Sequence, residues 1–497
     1  MKGQAMKKRL LTILHIAVWL AGTVFLITGA FATCLWFDES YSVGIINHNL
    51  LDICLISSGD VHPPLYYVLL KIFTLFFGKS LVSLRMFSIL FTSLLAGVGY
   101  THLRKDFGAK IGFWFTTLMF LFAITYRYAI EIRMYTLAPY LVTMMAIYAY
   151  RFYKSGMTDK KSKYMFLIFA ILGAYTHYYA LAAAGAVNFL LLMHCRKNNI
   201  SDMWLKMAFI QCASYIFGFY CLVTQSAKVV GSFWISIIYP DVIYKTLSFF
   251  LVGDVPEDMV NLTEITAKVY DGLSVLFWGV CVYYFILYYK KNHDEAEPAI
   301  LVLKVLGLII GFYFAVSLIR PLYYVRYLTV LSGLMTFFLA FAFDKINKYI
   351  KPAVLVLLAT VLVFRIIPLR ELVYSPRNDQ LDIFVNENIK DGDIIVSDNI
   401  GLISIIAVKH PDTKTYYYNP QGWDVELAYK AYSPQMKTIR DLSEVYANEG
   451  RVWVLNNYFS DSISNLVIEN TNKEIVKIYD TFILPYHHLE YGFTLLE

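Results

Sequence analysis

PLYYVLLKIFTLFF, Pro64–Phe77, is apolar enough to read as a membrane span, and that reading decides which way every later segment faces. It has fourteen residues, where a helix needs about 18 to 20 to cross the hydrocarbon core of a bilayer. Proline suits the first turn of a helix, so the stretch reads as a helix started by Pro63 and Pro64 and lying in or near the outer interface. The charges agree. With this segment left out of the bilayer, Lys7, Lys8 and Arg9, then Arg104, Lys105 and Lys110, then Arg151, Lys154, Lys160, Lys161 and Lys163 all fall on one side. Arg196 with Lys197, Lys290 with Lys291, and Lys345, Lys348 and Lys351 continue the series, and an excess of Lys and Arg marks that side as cytoplasmic.

Working outward, 58% of the residues are hydrophobic and only 16% charged, outside the range of soluble domains. The sequence predicts a polytopic α-helical membrane protein of about eleven spans. They are Leu10–Leu35, Met86–Leu103, Ile111–Tyr126, Met134–Tyr150, Met165–Tyr178, Tyr179–Met193, Trp204–Thr224, Leu273–Tyr289, Ile300–Leu318, Leu322–Phe343 and Ala353–Ile367. The first has the basic flank and apolar core of a signal peptide, but its length and the absence of a small-residue cleavage site before Trp36 make it an anchor. Residues 1–370 thus form a membrane domain with outer loops 36–85 and 225–268, the second carrying the amphipathic DVIYKTLSFFLVGD and a glycosylation-type triplet, Asn261-Leu-Thr. From Glu371 the composition turns polar. GDIIVSDN, TYYYN and RVWVLNN read as short buried strands, Gly401–His410 and Leu442–Ala447 as helices, and Ile475–Leu495 as a strand pair, giving a small extracytoplasmic α/β domain over 371–497.

Several function classes drop out. The net charge of +6 is dispersed among the loops, so no nucleic-acid partner is implied. Six cysteines show no metal spacing and read as buried bystanders. No HExxH, Walker A loop or GxSxG elbow is present.

What stands out is polar chemistry at the outer ends of the spans. Asp38 and Glu39 follow the first anchor directly, and adjacent helical residues diverge by about 100°, so the two carboxylates do not share one task. An acidic first turn that merely caps a helix is the competing reading. DVHPPLYY adds Asp60 and His62 at a rigid proline corner, or else a simple interfacial turn. Arg85 stands at the entrance to the second span, where arginines bind lipid phosphate. YRYAIEIRMYTLAPY places Glu131 and Tyr135 on one helical face with Arg133 elsewhere, suited to a sugar phosphate or to a structural ion-pair belt. His177 and Tyr178 in THYYA, and Arg320, Arg326 and Tyr327 in IRPLYYVRYL, complete the set, although tyrosines at an interface are commonly an aromatic belt.

An acidic pair in the first outer loop, then DxHPPLYY, ExRMY, HYY and RY, in this order over Leu10–Phe343, resembles the GT-C glycosyltransferases, nearest to the protein O-mannosyltransferase-like and aminoarabinose-transferase-like group. The resemblance implies inverting transfer of a sugar from a polyprenyl-phosphate donor to a lipid, cell-surface glycan or protein acceptor at the outer face of a plasma (inner) membrane. It implies Asp38 as general base, with Glu39 supporting the loop or contacting sugar. Arg85, Arg133, Arg320 and Arg326 would stabilise the leaving phosphate, and Asp60, His62, Glu131, Tyr135, His177, Tyr178 and Tyr327 would shape the substrate site. HPPLYY here replaces the glycine-lysine that follows in the O-mannosyltransferases, and their large inserted outer domain is absent, which counts against a protein acceptor. Some relatives bind a divalent cation, but no ligand spacing here calls for one, so no cofactor is required and no metal ligands are assigned. The competing class is a flippase of lipid-linked sugar, which needs a polar path and internal repeats that the sequence lacks. Richness in Lys, Ile, Tyr and Asn reads as an AT-rich bacterial genome.

Overall fold

The computed structural model describes residues 2–232, 242–253, 264–422, 426–457, 462–485 and 489–497, so Asn261–Thr263 lie outside the described residues. α1 (Lys2–Thr28) is followed by three short helices, α2 (Phe37–Ile45), α3 (Leu50–Ser58) and α4 (Leu65–Phe77). α5 (Leu81–Val98) continues through a π-helical turn into α6 (Arg104–Asp106), and α7 (Ala109–Leu121) bends by 68° into α8 (Ala123–Ala129). Then come α9 (Leu137–Lys154), α10 (Lys160–Ala174), α11 (Tyr178–Lys197), α12 (Ser201–Ser214) and α13 (Ile216–Ser232). α14 (Val242–Val252), α15 (Glu264–Tyr289) and α16 (His293–Ser317) lead to a 3-10 segment, Val325–Leu331, which feeds α17 (Ser332–Lys345) and α18 (Lys351–Val373).

Each of the eleven apolar stretches contains a helix, but length and hydropathy qualify only seven spans among the described residues, or nine if each bent pair counts as one. α10 has fifteen residues, and α9 ends on Arg151 and Lys154 with most of its side chains buried in protein. α4 stays below spanning length, starting directly after Pro64. α1 is almost unburied, whereas the α17 span is 89% buried: one helix meets lipid and the other is the core around which the bundle packs. α5 and α7 approach backbone to backbone, since a Cβ on Gly99 would lie 2.5 Å from the Gly112 carbonyl oxygen. Four cysteines are buried, Cys54 is half-buried and Cys212 is exposed; all six are free thiols.

Beyond α18 the chain forms α19 (Gln380–Asn388), β1 (Ile394–Ser397), α20 (Ile400–Lys409), β2 (Lys414–Tyr418), α21 (Glu426–Tyr429) and β3 (Met436–Ile439). α22 (Ser443–Tyr446), β4 (Val452–Asn457), α23 (Ser462–Asn470), β5 (Ile475–Leu484) and β6 (Leu489–Leu496) complete it. The sheet order is β3-β2-β1-β4-β6-β5. β3, β2, β1 and β4 run parallel, with Val396 level with both Tyr416 and Val454, while β6 is antiparallel to β4 and β5. β1, IIVS, is buried along its whole length, as a central parallel strand must be.

The two parts meet on α2. Ser40 Oγ lies 3.0 Å from Ser404 Oγ of α20 and 3.3 Å from Tyr432 Oη. A Cβ on Gly44 would come within 2.7 Å of the Ala431 carbonyl oxygen, so only glycine lets α2 seat this closely. Lys409 Nζ donates to the Thr33 carbonyl at 3.4 Å, a further tie just before α2.

Candidate active site

The first anchor ends earlier than its apolar run. α1 stops at Thr28, a 3-10 turn closes at Phe31, and residues 32–36 are not helical. Arg85 of α5 explains this: its guanidinium donates to the carbonyls of Ala32 and Cys34, and its Nε to Ile130 at 3.1 Å. Arg85 is 1% exposed. Its guanidinium is held by backbone carbonyls and, at 3.8 Å, by Cys34 Sγ, a structural role in place of the expected phosphate contact.

Glu39 has a similar role. Its Oε2 accepts the Trp36 amide at 3.3 Å, which starts α2, and its Oε1 accepts the Ile132 amide at 3.0 Å with Arg85 3.8 Å away. Burial raises its pKa, opposed by Arg85 and by the Ile132 amide. Of the two roles expected for Glu39, supporting the loop or contacting sugar, these contacts are those of a buried strut.

Asp38, next along α2, points elsewhere. It is half-buried, with Oδ2 3.0 Å from Arg326 Nη1, and its backbone carbonyl accepts from Arg133 Nη1 at 3.2 Å. Arg326 comes from the 3-10 segment before α17 and lies over the Trp36 ring, 4.6 Å from its centre. Arg133 Nη1 also donates to Tyr67 Oη at 3.0 Å, joining ExRMY to HPPLYY.

The expected helix across Glu131 and Tyr135 is not there. α8 ends at Ala129 and α9 begins at Leu137. Three backbone groups of the link are taken by other elements: Ile130 O by Arg85, Ile132 N by Glu39, and Glu131 O by Ser88 Oγ at 2.6 Å. Those partners replace helical hydrogen bonds. Glu131 Oε2 accepts from Arg127 Nη1 at 2.8 Å, and burial pushes the Glu131 carboxyl up to about 7 against the pull of Arg127 and Arg326.

His62 and His177 are brought together, their ring centres 5.3 Å apart. Tyr327 lies 5.9 Å from His62 and 5.2 Å from His177, and Tyr135 lies 6.0 Å from His177. Asp60 is half-buried in the loop after α3, near enough for its charge to raise the Tyr67 and Tyr432 phenols beyond the effect of burial. Tyr178 does not join the cluster; it donates to Gln225. Arg320 closes α16, its amide bonded to Val316 O at 2.9 Å. Trp36, Tyr67 and Arg127 escaped the sequence reading. YRY did place an arginine four residues before Glu131, a helical ion-pair spacing that would have identified Arg127. Among the described residues no three His, Cys, Asp or Glu side chains converge as a metal-binding group.

The membrane bundle, with an acid–arginine site at one end and a trailing α/β domain docked against it, shares its fold with a solved membrane protein. The chain is similar to the crystal structure of ArnT from Cupriavidus metallidurans bound to undecaprenyl phosphate, with a TM-score of 0.57 and 12% identity over 97% of each chain. The apo form of that protein matches with a TM-score of 0.57 and 11% identity over the same shares. The oligosaccharyltransferase of Archaeoglobus fulgidus matches at 0.47 and 13% identity, over 89% of this chain and 69% of that one. No known family profile and no curated protein sequence matches.

Proposed function

We propose that the chain is an inverting glycosyltransferase that moves a sugar from a polyprenyl-phosphate donor to a lipid, cell-surface glycan or protein acceptor at the outer face of a bacterial plasma membrane. The observation that carries this reading is the Asp38–Arg326 pair, a half-exposed carboxylate 3.0 Å from a guanidinium at one end of a spanning bundle. An amphiphilic donor suits that place: its tail stays in lipid while its phosphate meets Arg326 and Arg133. The singly charged phosphodiester of the donor competes with Asp38 for Arg326, and its binding there frees the carboxylate. Asp38 then takes the proton of the acceptor hydroxyl or amine. The acceptor atom forms its bond to the anomeric carbon as the bond from that carbon to the phosphate oxygen breaks, with the electron pair leaving on polyprenyl phosphate. Arginine stabilises the developing charge. The fold likeness to a structure bound to undecaprenyl phosphate supports a lipid-phosphate donor.

The test is transfer from radiolabelled polyprenyl-phosphate hexoses and pentoses into membrane lipid and glycan by purified wild-type protein and by Asp38→Asn. Transfer by the wild type alone is expected. Equal turnover by Asp38→Asn would remove Asp38 as the base, and donor movement between leaflets without transfer would turn the reading to a flippase.

A further inference from the structure

A groove of about 600 Å³ separates the first turns of α10 and α12. It lies at the end of the bundle away from Asp38. α10 leads up to His177, α11 returns from there to Lys197, and α12 starts beside it, so α10 and α12 run parallel with their starts together. The lining changes in the same order along both helices. Lys163 and Tyr164 on α10 and Asp202 on α12 stand at the mouth, and Leu167, Met207 and Ile210 line the groove further along. Lys206, between these levels on α12, has a stem long enough to bring its ammonium back to the mouth. The groove opens sideways. α12 buries only Met207 and Gln211, while Tyr164, Leu205, Phe209 and Ile210 are large, exposed side chains on the surrounding surface, placed to meet lipid. A cleft that is charged at the interface and apolar toward the membrane centre has the profile of a phospholipid, headgroup outermost and chains inward.

The charges select among phospholipids. At this end of the bundle Arg151, Lys154 and Lys345 are taken up by Asp106, Glu297 and Asp344. Among the described residues neither Lys163 nor Lys206 has a carboxylate partner, and the Lys163 ammonium lies 4.9 Å from the centre of the Tyr164 ring. Lys160, Lys161, Arg196 and Lys197 stand exposed around the rim. Two carboxylates oppose them. Asp159 is committed to capping α10, accepting from the Lys161 amide at 3.0 Å and from Ser162 Oγ at 2.5 Å, and Asp202 lines the groove itself. The balance is positive, so a headgroup with a net negative charge is drawn in, whereas the ammonium of a zwitterion would meet like charge. The sugar donor is a poor fit. Its phosphate belongs beside Arg326 at the other end of α10, whose fifteen residues span about 22 Å.

We propose that the groove between α10 and α12 is a binding site for an anionic glycerophospholipid, its phosphate held by Lys163 and Lys206 and its chains lying along Leu167, Met207 and Ile210. The site is separate from the sugar chemistry and stands whether or not the chain is a transferase. Purified full-length protein, stripped of lipid in detergent, is titrated with phosphatidylglycerol and with phosphatidylcholine of identical chains, and bound lipid is counted by native mass spectrometry. Phosphatidylglycerol binds roughly tenfold tighter, and the preference shrinks as ionic strength rises. Lys163→Gln together with Lys206→Gln brings phosphatidylglycerol down to the level of phosphatidylcholine. Lys290→Gln together with Lys291→Gln removes the same charge from another loop at the same end and leaves the preference intact. Met203→Trp fills the groove without touching a charge and weakens both lipids. An equal loss from the Lys290 and Lys291 pair would mean diffuse attraction to basic loops and overturns the proposal. No loss from the Lys163 and Lys206 pair, or phosphatidylcholine binding as tightly as phosphatidylglycerol, overturns it too. Polyprenyl phosphate displacing phosphatidylglycerol from the groove at equal concentration would give the site to the donor's carrier and overturn the choice of occupant.

Discussion

Asp38 and Arg326 hold each other at 3.0 Å, so removing either exposes the other to a changed environment, and the two losses differ in kind. Asp38→Asn keeps the shape and loses the proton acceptor: turnover falls by about 10² to 10⁴, the usual contribution of a general base, while the donor still binds. Arg326→Gln weakens donor binding as well, and Kd against kcat for the two variants separates the roles. Glu131 supplies a prediction of another sort. Folded, it keeps its proton up to about pH 7, whereas its ordinary value is 4.5, so the folded state binds more protons between those values. Its contribution to stability is complete below about 4.5 and lost as pH rises through 7. Glu131→Gln therefore flattens the dependence of Tm on pH across that window, and a series of melts in buffered detergent checks it. The sequence marked Asp38 and Arg326 separately as polar residues at outer span ends, and their pairing came only with the fold. That Asp38 and Glu39 have different tasks was also expected; the partner that holds Glu39, the Ile132 amide 93 residues away, was not. Arg85 misled for the same reason: an arginine at the head of a span looks like a headgroup ligand, and the carbonyls that occupy it carry no sequence signal.

At the level of elements, the site depends on α2 being held from both sides. Arg85 and Glu39 fix its start and the 130–136 link, and Ser404, Ala431 and Tyr432 pack against its buried Ser40 and Gly44. Arg85→Met strands buried carbonyls and leaves Glu39 without its buried cation, a loss of about 3–5 kcal/mol. Global stability and yield fall together, where loss of a phosphate ligand would reduce donor affinity in an otherwise stable protein. Gly44→Leu drives a side chain into the Ala431 carbonyl and undocks the α/β domain from α2. Limited proteolysis then cleaves near residue 375 more readily, and transfer drops although every group around Asp38 is intact. The strands most easily read from sequence were those with long apolar runs, IIVS and VWVLNN. β3, MKTI, has four residues with a lysine among them and takes its place from pairing with β2, so local pattern could not announce it. Tertiary hydrogen bonds likewise overrode the helical spacing between Glu131 and Tyr135.

For the whole molecule, the decisive choice was to leave Pro64–Phe77 out of the bilayer, and the contacts are consistent with it: Asp38, Arg133, His62, His177 and Arg326 gather at one end of the bundle, as a single outer face requires. The number of spans was less legible, since burial within protein lets α9 and α10 be shorter or less apolar than a helix facing lipid. Orientation is a separate physical claim. It rests on the basic residues lying at the opposite end from Asp38, and on the cost of translocating them. In a cysteine-free background, a single cysteine at Glu469, exposed on α23, reacts in intact cells with a membrane-impermeant maleimide, while one at Lys160, exposed at the start of α10, reacts only after the membrane is opened. The reverse pattern would put Asp38 on the cytoplasmic side, where the acceptor would have to be a cytoplasmic molecule and not the cell envelope. Labelling at both positions without permeabilisation would mean that the vesicles or cells had leaked, and a cytosolic marker in the same sample distinguishes that from a true reversal.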